Sequence, residues 1–300
     1  MSDWIPDIEK LQTFDDAEWS QVERTFTGRL LAYAARRVPD LQAREDIVQE
    51  SFLGAVRGIP SFDKLFTFEQ YLFGICRNRT IDYMRRRRAA TVSTQDDEDE
   101  RSLIDHLATE DETPSRIVRN QDIITKGRGL LLEILRDWVQ ETWMADEFLR
   151  LMVIEALFSG GWRNRDTWER FGLRDETAVA GIKFRALKRL RELASHTTSS
   201  DVIVPALADQ AQVGNTGLDV AATWREGRVS CPARHWLARK LAGTLEAGPA
   251  GFVDFHLVEM KCDWCQANYD DLAQQDDLSP LLERVRSSTA RYLRSKTVRS

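Results

Sequence analysis

Three cysteines and a histidine in the last third of the chain have the side-chain types and spacing of a metal site. Cys262 and Cys265 form a C-x2-C pair. His256 precedes this pair, and Cys231 lies further upstream. Three thiolates and one imidazole suit the tetrahedral preference of Zn²⁺, so the pattern predicts a structural zinc site. Two alternatives stay open: buried thiols beside an unrelated histidine, or His235, one turn after Cys231, as a competing ligand.

A catalytic zinc would be a different kind of site, and the sequence does not favour one. Catalytic zinc needs an open coordination position and a general base. The four predicted ligands fill the tetrahedron, and no arrangement of nucleophile and base is apparent elsewhere in the chain. We therefore expect a protein that is not an enzyme.

A second group of residues has the chemistry of nucleic-acid binding. The pattern predicts a helix over residues 68–88, with Tyr71, Asn78 and Asp82 on one side at helical spacing. The helix ends in four consecutive arginines, Arg85, Arg86, Arg87 and Arg88. An aromatic ring can stack on a base, an amide can read one, and guanidinium groups neutralise phosphates. The alternative is a basic helix end that the macrodipole stabilises. The predicted buried stripe of this helix consists of Phe68, Leu72, Ile75 and Tyr83.

The net charge of −6 hides a strong segregation of charge along the chain. A second basic cluster contains Lys183, Arg185, Lys188, Arg189 and Arg191, whereas acidic residues collect at 96–100. Local fields decide whether a surface meets phosphate, so the total charge does not exclude a nucleic-acid partner.

The chain lacks the sequence marks of membrane insertion and of secretion. It has no apolar run of transmembrane length, and residues 1–9 have no apolar signal-peptide core. We expect a cytoplasmic protein whose cysteines are reduced or bound to metal.

Apolar residues recur at three- and four-residue spacing through most of the 300 residues, which predicts an all-α protein. The length implies two or three domains. The predicted order is a helical domain at 15–90, an acidic linker at 91–116, a second helical domain at 117–196, a linker at 197–217, a small helical zinc-binding domain at 218–275 and a basic tail at 276–300.

The predicted helix around residues 46–57 has two different faces. Its core-facing stripe contains Val48, Phe52, Ala55 and Ile59. The remaining surface carries Asp46, Gln49, Glu50 and Leu53. By itself, such an acidic face is expected to be a solvated surface. Only neighbouring motifs can indicate that it binds a partner.

The second helical domain contains two predicted helices around a glycine turn. Residues 164–171 and a helix that starts at Asp175 and reaches 193 flank Gly172, after an apolar-rich helix at 146–158. This arrangement fits a major-groove reader, although helical hairpins with basic ends are common. The candidate reading residues are Glu176, Thr177, Lys183, Arg185 and Lys188.

The first domain resembles region 2 of extracytoplasmic-function (ECF) sigma factors of the sigma-70 family. The resemblance rests on the segments DIVQESF at 46–52, SFD at 61–63 and FEQYLFGICRNRTIDYMRRRR at 68–88. It implies a bacterial transcription initiation factor that binds core RNA polymerase. The face with Asp46, Gln49, Glu50 and Leu53 would dock on the coiled coil of the beta-prime subunit. The 68–88 helix would bind the −10 element and capture a flipped base of the non-template strand.

Two further segments carry related resemblances. Residues 183–193, KFRALKRLREL, resemble the end of sigma region 4, which implies a helix-turn-helix domain that reads the −35 element beside the beta flap. The segments around Cys231, His256 and Cys262 resemble the zinc-binding anti-sigma domain. This resemblance implies that the C-terminal segment packs on, or regulates, the sigma domains of the same chain. A separate anti-sigma regulator is the other option.

A polymerase-independent helix-turn-helix regulator with a zinc-stabilised partner-binding domain is the competing hypothesis. It would use the same basic helices for promoter DNA. The face around Asp46 and Glu50 discriminates between the two, because a repressor has no need of a polymerase-docking surface.

Overall fold

The structure is a computed structural model that describes residues 4–62, 66–90, 122–197, 203–204, 207 and 219–274. Every regular element in these ranges is helical, which confirms the predicted all-α fold. The linker predicted at 91–116, the basic tail at 276–300 and most of the linker at 197–217 lie outside the described residues. Within those residues, no helix combines the length and hydrophobicity that crossing a lipid bilayer requires.

The helices and their bounds follow in chain order. The first group is α1 (Ile8–Gln12), α2 (Asp16–Ala35), α3 (Leu41–Gly58) with a 3-10 turn (Ile59–Ser61), and α4 (Phe68–Ala90). The second group is α5 (Asp122–Met144), α6 (Phe148–Phe158), α7 (Asn164–Phe171) and α8 (Glu176–Ser195). The last group is α9 (Val220–Glu226), α10 (Arg234–Leu241), α11 (Ala247–Asp254), a π-helical turn (Phe255–Glu259) and α12 (Asp263–Ala273).

Short polar side chains start several of these helices. Asp15, Asp40 and Asp175 accept hydrogen bonds from first-turn N–H groups of α2, α3 and α8. At the start of α4, Thr67 N donates to Gln70 Oε1 at 2.9 Å, and Gln70 N donates to Thr67 Oγ1 at 3.2 Å, a capping box. The predicted helix at 164–171 is confirmed by these bounds.

The chain divides into two compact units, and the first contains the described residues up to 90 together with α12. Its core is built where α2, α3 and α4 pack together, around the fully buried side chains of Trp19, Phe52 and Leu72. Helix α12 comes from the far end of the chain and packs on α2. Trp264 of α12 stacks on Phe73 of α4, with ring centroids 4.5 Å apart.

The buried stripe of α4 differs from the predicted one. Phe68 and Leu72 are buried as predicted, and so are the α3 residues Val48, Phe52, Ala55 and Ile59. Ile75 and Tyr83 are only half-buried, so their assignment to the stripe was wrong, and Phe73, Cys76 and Met84 are buried instead. The core side of α4 is wider than the sequence pattern indicated because α12 covers Phe73.

The second unit contains the described residues from 122 to 262. Its core joins α5, α6 and α8 to the segment that follows them. The ring centroids of Trp138 in α5 and Trp224 in α9 are 5.9 Å apart. Phe252 of α11 is fully buried in the same core. Residues 219–262 therefore share one hydrophobic core with residues 122–197.

Candidate functional site

The side of α4 that was predicted to bind nucleic acid is partly exposed to solvent. Asn78 is half-buried and Asp82 is exposed, on the side away from Leu72 and Cys76. Gly74 lies on the same side, and a Cβ added there would meet no described atom within 4 Å. This part of the helix surface can therefore be approached closely by a flat ligand such as a base.

Tyr71 is less available than the other residues of that side. Its hydroxyl donates to the backbone oxygen of Ala55 in α3 at 3.3 Å, and its ring centroid lies 5.1 Å from that of Phe62. Burial raises the pKa of Tyr71 to about 12, so the phenol stays protonated as a donor. Tyr71 holds α4 against α3 and supports Phe62 at the entry to α4.

The arginines at the end of α4 form a concentrated positive surface. Arg85, Arg86 and Arg87 are exposed and Arg88 is half-buried. Arg86 Nε donates to the backbone oxygen of Asp82 at 3.3 Å, and this bond holds the Arg86 side chain along the last turns of α4. Consecutive positions point in different directions around a helix, so the charge surrounds the helix end on several sides.

The predicted docking face of α3 is on the surface. Asp46 and Glu50 are exposed, and Gln49 and Leu53 are half-buried beside them. Glu50 Oε2 lies 3.9 Å from Arg79 Nη2 of α4, a solvent-screened pair that contributes little to stability. Two exposed carboxylates around a partly apolar centre can bind a basic, amphipathic partner.

Helices α7 and α8 are joined by a short turn at residues 172–175. Gly172 ends α7 in the left-handed region, with φ of 61°, a conformation that suits glycine. Asp175 then accepts a hydrogen bond from Ala178 N at 2.9 Å, and that bond and the bond from Arg174 lower the pKa of its carboxyl group. At the start of α8, Glu176 and Thr177 are exposed.

The basic residues of α8 have unequal surroundings. Arg185 and Lys188 are exposed. Lys183 is half-buried with its Nζ 5.8 Å from the ring centroid of Phe158, and burial lowers its pKa. Arg189 makes a bidentate pair with Glu141 of α5, at 2.8 and 3.0 Å. The structure therefore uses part of the basic cluster of α8 to pack the helix, which the sequence pattern did not reveal.

The four predicted metal ligands come together. One ligand atom from each of Cys231, His256, Cys262 and Cys265 lies within 4.8 Å of all the others, and Cys231 Sγ is 3.7 Å from Cys262 Sγ. Among the described residues, His235 does not belong to this group, and its ring lies beside Trp236 instead. Three thiols and an imidazole from two buried and two half-buried residues fit Zn²⁺ by donor type and number.

A buried carboxylate that the sequence analysis did not select lies beside this cluster. Glu155 Oε1 is 2.5 Å from His256 Nδ1 and accepts a hydrogen bond from Ser230 Oγ at 2.7 Å. Burial alone lowers the pKa of His256, but the charges of Glu155 and the neighbouring thiols outweigh it and hold that pKa well above its ordinary value. The available sequence signal was a single carboxylate within the apolar run of α6.

Comparison with known proteins connects the first unit to a family. Residues 24–90 match Sigma-70 region 2. A probable RNA polymerase sigma factor of Haemophilus influenzae is 33% identical over 78 residues, which is 26% of this chain and 38% of that protein. The chain thus matches well under half the length of this relative. No solved structure matches the chain.

The first unit therefore contains a sigma-70 region 2 domain. The matched residues include the exposed face of α3 and all of α4. Sigma factors are non-enzymatic DNA-binding initiation factors, and the match agrees with the expectation of a protein that is not an enzyme. The match does not extend to the second unit or to the cysteine cluster.

Proposed function

We propose that this protein is a sigma factor of the ECF type that carries core RNA polymerase to promoters. The observation that carries the proposal is α4, which belongs to the region 2 match and ends in four arginines beside a partly exposed, polar surface. In this role the protein acts in the bacterial cytoplasm, with region 2 at 15–90 and region 4 at 117–196.

Promoter opening is assigned to α4. Arg85, Arg86, Arg87 and Arg88 bind the phosphates of the −10 element, and Asn78 and Asp82 contact the bases or backbone of the unpaired strand. The free energy of these contacts offsets the cost of unpairing, which is a few kcal/mol for a base taken out of the stack. The structure supports a smaller direct role for Tyr71, because its hydroxyl is bonded to α3.

Binding to polymerase is assigned to the face of α3. The exposed carboxylates of Asp46 and Glu50 flank Gln49 and Leu53, and this combination suits the beta-prime coiled coil. Helix α8 reads the −35 element through Glu176, Thr177, Arg185 and Lys188, next to the beta flap. Lys183 contributes mainly by packing, as its contact with Phe158 indicates.

The cysteine cluster holds a structural Zn²⁺ in this proposal. Cys231, His256, Cys262 and Cys265 would be its ligands, and the ion would contribute folding free energy to the residues around it. The segment that contains them regulates the sigma domains from within the same chain, and a separate anti-sigma protein would compete with it.

Reversal of charge on α3 tests the sigma function. The variant D46R/E50R should lose binding to purified core polymerase by at least about tenfold, because two favourable charge contacts become repulsive. E9R on α1, also an exposed carboxylate, is the matched control and should bind normally. If D46R/E50R binds core polymerase as tightly as the wild-type protein, the α3 face is not the docking surface. If neither protein binds core polymerase, the polymerase-independent regulator is favoured.

A further inference from the structure

The carboxylate of Glu155 lies inside the second unit, in a position where a charge is costly. Glu155 is on α6, surrounded by an apolar sequence, and is 1% exposed. A buried carboxylate is tolerated when it is paired and hydrogen-bonded. Glu155 Oε1 meets two groups, the hydroxyl of Ser230 and Nδ1 of His256. Glu155 Oε2 is buried without a hydrogen-bond partner in the described part of the chain.

The hydrogen bonds around Glu155 form a directed chain. Trp224 Nε1 donates to Ser230 Oγ at 3.0 Å, and Ser230 Oγ donates to Glu155. Since Glu155 occupies Nδ1 of His256, the ring nitrogen that remains for the thiol cluster is Nε2. Histidines that bind metals commonly donate their second ring N–H to a carboxylate, which fixes the tautomer and the orientation of the ring.

The backbone that carries His256 also contacts helix α7. His256 lies in the π-helical turn Phe255–Glu259, a rare geometry that is frequent at functional sites. Phe255 packs against Phe171 of α7, with ring centroids 5.4 Å apart. Arg170 Nε of α7 donates to Glu259 Oε2 at 2.6 Å. Both ends of the turn are therefore attached to the first helix of the α7–α8 pair.

We propose that Glu155 is a positioning residue of the metal centre and that, through it, metal binding stabilises the helix pair α7–α8. The inference rests on the proposed zinc site and goes beyond the sigma function. Glu155 orients His256 from α6, while the π-helical turn transmits that orientation to α7. Ligand binding to the folded state alone stabilises that state, so a metal held this way stabilises α6, α7 and α8 together.

Metal affinity is the first measurement. Full-length wild-type protein and its variants are titrated with Zn²⁺ against a chelating dye, and with Co²⁺ to record the absorption bands of the thiolate site. E155Q keeps the size of the side chain but removes the charge, and should lower Zn²⁺ affinity by about 10- to 100-fold. E147Q, an exposed carboxylate that precedes the same helix, is the matched control and should leave the affinity unchanged.

A purely structural role for Glu155 gives a different result. In that case E155Q destabilises the metal-free and the zinc-bound protein equally, with unchanged zinc affinity and unchanged Co²⁺ bands, and the inference is overturned. S230A retains the carboxylate and removes one of its donors, so it should cause a smaller loss of affinity. If E155Q does not fold, the Zn²⁺ affinity of S230A tests the inference instead. A Zn²⁺ affinity of S230A equal to that of the wild type overturns it.

Hydrogen exchange tests the link to α7–α8. Removal of zinc with a chelator should increase amide exchange across residues 164–195 of the wild-type full chain, and the chelator should have no such effect on the ligand variant C262S. Unchanged exchange in the wild type overturns the coupling. The sigma function is tested separately: it is wrong if the wild-type protein does not bind core polymerase. If the wild-type protein binds no zinc, both the metal centre and this inference are wrong.

Discussion

Helices α4 and α8 both carry clusters of basic residues, but the two clusters have different surroundings. In α4, Arg85, Arg86 and Arg87 are exposed at the helix end. In α8, Arg189 is bound by Glu141 and also pairs with Glu192, while Lys183 lies against Phe158. A count of basic residues along the sequence therefore overstates the charge that α8 offers to DNA. We expect α4 to provide most of the electrostatic attraction.

The largest expected effect concerns the support of α4. W264A removes the ring that stacks on Phe73, and substitution of a well-buried tryptophan by alanine typically costs about 3–5 kcal/mol. Chemical denaturation with zinc in excess measures the free energy of unfolding. I5A, an exposed apolar residue of the same unit, should change it by about 0.5 kcal/mol or less. A loss below about 1 kcal/mol for W264A would show that α12 does not support α4.

The arginine block of α4 gives the next largest effect. R85A/R86A/R87A/R88A should weaken promoter opening on the order of 100-fold, because four phosphate contacts are lost. The slope of log affinity against log salt should decrease by about 2.8 for single-stranded −10 DNA. Salt titrations with core polymerase measure both quantities. R24A, at an exposed arginine of α2, is the control, and an unchanged salt slope in the fourfold variant would be incompatible with phosphate binding by α4.

Asn78 separates base contacts from phosphate contacts. N78A should reduce binding to the unpaired −10 strand by about tenfold, roughly 1.4 kcal/mol, with an unchanged salt slope. Fluorescence anisotropy with single-stranded oligonucleotides and the holoenzyme measures this difference. If N78A lowers the affinity for every oligonucleotide sequence by the same factor, Asn78 contacts the backbone and not a base.

The smallest effect is expected from α8. R185A/K188A removes its two exposed cations and should decrease the salt slope for duplex −35 DNA by about 1.8. Affinity should decrease by less than in the α4 variant. If R185A/K188A lowers the affinity as much as the fourfold α4 variant does, the two helices contribute equally to the electrostatic attraction of DNA.

The sequence predicted local features well, since these depend on neighbouring residues. The bounds of α7, the start of α8 directly after Asp175 and the C-x2-C pair of Cys262 and Cys265 all follow from residue types at short spacing. Features that depend on distant segments were not predictable in this way. The burial of Phe73 requires Trp264 of α12, and the role of Glu155 requires His256, which lies 101 positions away in the sequence. Lys183 and Arg189 were assigned to a basic surface because nothing local indicated Phe158 or Glu141.

Promoter opening by the holoenzyme tests the sigma function most directly. Core RNA polymerase and the purified protein are incubated with duplex fragments whose −10 and −35 elements are randomised, and permanganate then modifies unpaired thymines in the selected fragments. The expected result is reactive thymines at the −10 element with wild-type protein and core polymerase together, far fewer with D46R/E50R, and none without core polymerase. Fragments that stay fully paired with wild-type holoenzyme, or that bind the protein equally well without core polymerase, would contradict the sigma function.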